Sequence, residues 1–76
     1  MTEVLLTGWR DGLHKVALTS EFQGLSGIGG LAAAKNLTDR LLAGEEIRIA
    51  FDSRGEGEAF LREVEVLGVD GVIEES

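Results

Sequence analysis

GLSGIGGLAAAK, Gly24 to Lys35, packs four glycines into its first seven residues and then runs on through small and apolar residues to a lysine. Two readings compete for it. A phosphate cradle follows a strand and aims its backbone amides from a helix N-terminus at the anion. The nucleotide-binding form also ends in Gly-Lys-Ser/Thr, and here Leu31 to Ala34 stand where that lysine and hydroxyl belong. The dinucleotide spacing G-x-G-x-x-G is absent too, and the glycines follow a helical stretch. The stretch therefore reads as a turn between two helices, with Gly24, Gly27, Gly29 and Gly30 supplying positive φ and close backbone approach.

The flanking segments fit that reading. Upstream, Leu18, Phe22 and Leu25 recur at spacings of four and three, one stripe of a helix over Leu13 to Gln23. Asp11 stands ahead of it as a cap. Downstream, Leu31 to Ala43 makes a second helix whose inner face carries Leu31, Ala34, Leu37, Thr38, Leu41 and Leu42. Gly44 falls at its C-terminal cap. EVLLT (Glu3 to Thr7) is a short aliphatic strand, closed by a turn over Gly8 to Gly12 that holds Trp9. Trp9 reads as packing on the core edge, with an exposed recognition role as the alternative. EIRIAF (Glu46 to Phe51) alternates, so Ile47, Ile49 and Phe51 share one face of a half-buried strand. Ser53, followed three residues later by Glu56, is a capping box that opens a third helix. Phe60, Leu61, Val64 and Leu67 form its buried face, and Gly68 stops it. A last strand runs through Val69, Val72 and Ile73 and is weakened by Gly71. The order is β-α-α-β-α-β, an α+β domain over 1–76 with a three-stranded sheet covered on one face by three helices.

Composition narrows the function. The chain has 76 residues, no cysteine and one histidine, so disulfides and a His/Cys zinc site are excluded. With 14 Asp and Glu against 7 Lys and Arg, the net charge is −7. That balance opposes direct nucleic-acid binding, which needs basic surface to displace counterions, and opposes docking on anionic lipid. It favours a partner with basic patches. No apolar run approaches the ~20 residues of a membrane span. MTEVLLTGWRD has no basic leader region, so the expected location is the cytoplasm.

Candidate reactive groups are few. His14 has no second ligand nearby in sequence and reads as a surface or cap residue. Ser20 and Ser26 have no evident base. Glu56, Glu58, Glu63 and Glu65 crowd the third helix, where a solvated face is preferred over a catalytic pair. No catalytic residue, cofactor or metal is expected.

Taken together, Val4-Leu5-Leu6, Lys15-Val16-Ala17-Leu18, Ser26-Gly27-Ile28-Gly29-Gly30-Leu31, Ala34-Lys35-Asn36-Leu37, Ser53-Arg54-Gly55-Glu56-Gly57-Glu58 and Leu67-Gly68-Val69 form an ordered series. That series resembles the C-terminal domain of the bacterial ribosomal stalk protein, the L-seven/L-twelve family, over nearly the whole chain. The resemblance implies a non-enzymatic module that docks translational GTPases on the ribosome. Its binding face is formed by the first two helices and the glycine turn. Lys15 and Lys35 match basic positions of that face, and Val16 and Leu18 match helix positions near it. Gly27 and Gly29 match the turn, with a one-residue shift. Thr19-Ser20 stands where the family is apolar and basic, and Gln23 where it usually has arginine. Ala32-Ala33 replaces a Lys-Glu pair, and the turn after the first strand is longer. The partner-binding set implied is Lys15, Val16, Thr19, Gln23, Gly27, Gly29 and Lys35, on a face less basic than the family's. No stretch corresponds to the family's N-terminal dimerisation segment and hinge, so the chain reads as an excised domain or a short stand-alone paralogue. The alternative is a Clp-protease adaptor that reads peptide N-termini. Its usual His-Asn-Asp-Asp stretch is replaced by Thr7-Gly8-Trp9-Arg10-Asp11. A small acid–base enzyme using the third helix ranks last.

Overall fold

The computed structural model describes residues 1–25 and 27–75. The elements run β1 (Thr2–Trp9), α1 (Lys15–Gln23), α2 (Leu31–Leu42), β2 (Ile47–Phe51), α3 (Arg54–Val66) and β3 (Val69–Glu75). The strands form one antiparallel sheet in the order β2-β1-β3, so the first strand lies in the middle. The architecture is the expected α+β domain with the expected element order.

Burial follows the period of each element. Thr2, Val4 and Leu6 of β1 alternate inward and are buried. Val4 lies between Ile49 and Ile73, and Leu6 between Ile47 and Gly71. Against this row pack Leu18 and Phe22 from α1, Ala34 and Leu41 from α2, and Phe60 and Val64 from α3. Phe60 is the hub of the aromatic packing, with ring centroids 6.2 Å from Phe22 and 5.4 Å from Phe51. Gly71 is more than a weak point in β3. A Cβ there would sit 2.9 Å from both the Leu5 carbonyl oxygen and Leu61 Cδ1, so its absence lets α3 close on the sheet.

Two local expectations are corrected. β1 continues through Gly8 and Trp9 instead of turning. The register with β3 shifts between Leu6 and Gly8, which leaves Thr7 as the extra residue of a bulge. Trp9 then pairs with buried Val69, and the residue is 43% exposed, part covered and part free. Nor does Asp11 cap the first helix. That helix starts at Lys15 with His14 at the N-cap, and no side chain caps it. The approach is held by long-range backbone bonds: Arg10 N–H donates to Gly68 O at 2.8 Å and His14 N–H to Leu67 O at 3.0 Å. Small boundary differences also appear. α2 ends at Leu42 with Ala43 as its C-cap and Gly44 just beyond, and α3 ends at Val66.

The Ser53 cap forms as its spacing requires. Ser53 is extended at φ −137°, and its hydroxyl accepts from Glu56 N–H at 3.2 Å. Ser53→Ala is expected to cost about 1 kcal/mol, the usual loss when an N-cap hydroxyl is removed. Urea titration reads this directly; an unchanged midpoint would show that the cap contributes nothing.

The glycine turn joins α1 to α2 as expected. Gly27, Gly29 and Gly30 take φ of 83°, 94° and 98°, which L-side chains rarely adopt. Gly24 differs: it closes α1 in the right-handed region at φ −73°. Ser26 lies outside the described residues.

Candidate docking groove

α1 and α2 lie side by side, and their outer faces enclose an open groove of about 400 Å³. Its floor is polar. Thr38, buried on the inner side of α2, sits with its hydroxyl 2.8 Å from that of Thr19 and 3.1 Å from the Ala34 carbonyl. Thr19 Oγ1 is also 3.0 Å from the Lys15 carbonyl. Threonine hydroxyls in helices commonly bond back to the carbonyl four residues earlier. Here two hydroxyl protons serve three contacts, so one threonine bonds back to its own helix while the other donates across and joins α1 to α2.

The rim carries the functional interest. Lys15, Val16 and Gln23 of α1 face Leu31, Lys35 and Asp39 of α2 across it. Val16 is 86% exposed and Leu31 49% exposed, so two aliphatic side chains stand in water beside two cations. Five residues of the expected partner-binding set, Lys15, Val16, Thr19, Gln23 and Lys35, line this one groove. Gly27 and Gly29 do not line it; they shape the connection at one end. Leu18, matched beside them, is fully buried in the core.

Four of the five arginines are in ion pairs, and exposed Arg62 of α3 is in none among the described residues. Arg10 pairs with Asp70, Arg40 with Glu45, and Arg54 with Glu58 and Glu75. Arg48 bridges Glu3 and Glu74 on the uncovered sheet face. Hydrogen bonds to Glu74 and then Glu3 raise its pKa further above the ordinary guanidinium value. Lys15 and Lys35 are the chain's two lysines, and among the described residues neither enters an ion pair. Both free ammonium groups thus converge on the groove of a protein whose net charge is −7.

Elsewhere the candidate reactive groups are dispersed. His14 is exposed at the start of α1. Glu58 is held by Arg54 at 3.4 Å, while Glu56 and Glu63 line a separate shallow depression. Among the described residues no group of three or more His, Cys, Asp or Glu is placed to hold a metal ion. Among them, too, no helix is long and apolar enough to cross a membrane. Comparison with family models, with characterised proteins and with solved structures returns no match.

Proposed function

We propose that this chain is a non-enzymatic protein-docking domain of the ribosomal-stalk C-terminal type. It works in the cytoplasm, in translation, by gripping a translational GTPase through the α1–α2 groove. The observation that supports this is the convergence of Lys15 and Lys35, neither in an ion pair among the described residues, on a groove that also exposes Val16 and Leu31. A side chain held for structure is normally paired or covered; these four are neither. The fitting partner surface is acidic with an apolar ridge. The ammonium groups steer its approach, and the aliphatic pair holds it. With Thr19 turned toward Thr38 and Gln23 uncharged, this face attracts less strongly than a fully basic one.

Titration of the chain with purified translational GTPases tests the reading. Lys35→Glu is expected to weaken binding about tenfold, about 1.4 kcal/mol. Lys35 is exposed, so the variant keeps its fold. Equal binding by both forms would remove the groove as the docking site.

A further inference from the structure

A second surface lies on the other flank of α1, and the docking function does not use it. β2 is an edge strand, and one side of its backbone faces away from β1. Among the described residues, no backbone hydrogen bond joins Ile47–Phe51 to anything beyond the pairing with β1. A depression of about 340 Å³ runs along this edge, lined by the consecutive residues Ile49, Ala50, Phe51 and Asp52. Successive strand side chains point to opposite faces, so a face offers alternate residues, and only an edge offers four in a row. Leu25, Phe51 and Glu56 also line a neighbouring depression of about 360 Å³ that reaches Phe60 between α1 and α3. The two share Gly24, Leu25, Phe51 and Glu56 and form one trough, polar along the free strand edge and apolar where it reaches Phe60 and Ala59.

We propose that this trough takes an extended peptide segment of a partner protein, added to β2 as a fourth strand, with lysine or arginine flanking a large apolar side chain. Strand addition satisfies the unpaired edge groups and leaves alternate side chains to be read by pockets. The charge of the walls selects the occupant. Glu21, Asp52, Glu56 and Glu63 line the trough; among the described residues no cation lines it and none of the four is in an ion pair. An acidic strand is repelled there, and a basic one is drawn in. Half-buried Leu25 and Phe51 give the apolar side chain its seat. This trough and the lysine groove have opposite charge and use opposite flanks of α1, so they sort two different partners.

The test is a titration of the isotope-labelled full chain, followed by amide chemical shifts. The probe is the heptapeptide KVKFKVK, acetylated and amidated, with EVEFEVE as its acidic counterpart. KVKFKVK is expected to shift the amides of Ile49 to Asp52 and Leu25, and EVEFEVE to leave them in place. The surface double variant Asp52→Asn/Glu63→Gln is expected to bind the basic probe about tenfold more weakly while its own spectrum stays dispersed. Shifts centred on Lys35, equal binding of both peptides, or an unaffected double variant would each overturn the proposal. So would binding that requires a free peptide N-terminus, read with the unacetylated probe. None of these outcomes bears on the GTPase titration, so the two readings stand or fall separately.

Discussion

Phe22→Ala is expected to cost about 3–5 kcal/mol, the usual loss for removing a buried phenylalanine. Phe22 is fully buried, and its ring lies against Phe60, which in turn stacks on Phe51. Those three rings connect α1, α3 and β2 across the centre of the core. A chain of this size holds only about 0.05–0.15 kcal/mol of stability per residue. The substitution therefore removes a large share of the total, and the variant is partly unfolded at room temperature. Urea unfolding followed by the signal of Trp9 measures the loss. A decrease below about 1 kcal/mol would mean that the core refills the space, and the packing described here would be wrong. The same change tests how the groove is held. α1 has no side-chain cap, and Phe22 and Leu18 are its buried anchors. Loss of Phe22 is expected to loosen α1 and disturb the groove between Lys15 and Lys35, so any binding there, such as the proposed GTPase docking, is expected to decline along with stability.

The elements that local chemistry specifies are readable in the sequence itself. Alternation places Ile47 and Ile49 inward on β2, and Ser53 caps α3 through Glu56 as its spacing demands. The glycine turn was also legible, because three of its four glycines occupy a region that other residues avoid. What escaped depends on distant partners. Trp9 belongs to a strand only because Val69 lies opposite it, and the intervening Gly8 disguises that strand as a turn. Asp11 looks like a cap, yet the loop is positioned by Leu67 and Gly68, more than fifty residues away. The candidate groove divides in the same way. Helical periodicity puts Lys35 on the outward face of α2, while Lys15, Val16 and Gln23 are singled out only by the resemblance to the stalk domain. It does not show that Thr19 reaches Thr38, nor that β2 is an edge, since strand order is set by tertiary pairing.

Gly68→Ala is the second large effect, expected at roughly 2–6 kcal/mol, because positive φ and overpacking each cost about 1–3 kcal/mol. Gly68 follows the C-cap of α3 at φ 106° and turns the chain straight into β3. An L-residue there is strained even in open space. The space is not open: an added Cβ would lie 3.1 Å from Leu13 Cα and 3.5 Å from Leu13 N. Those are backbone atoms of the segment leading into α1, and they are not free to swing aside. His14 N–H and Arg10 N–H are tied to the carbonyls of Leu67 and Gly68, so the segment moves only by breaking those bonds. The cost thus falls on the start of α1 as well as on the end of α3. Chemical denaturation gives the total, and amide exchange of Arg10 and His14 gives its location. Gly44→Ala serves as the comparison, with φ 93° but nothing within 4 Å of its Cβ position. If both alanines cost the same, backbone strain alone explains the effect and the contact with Leu13 contributes nothing. A clearly larger loss at Gly68, with faster exchange at His14, establishes that one glycine fastens α1 to the turn between α3 and β3.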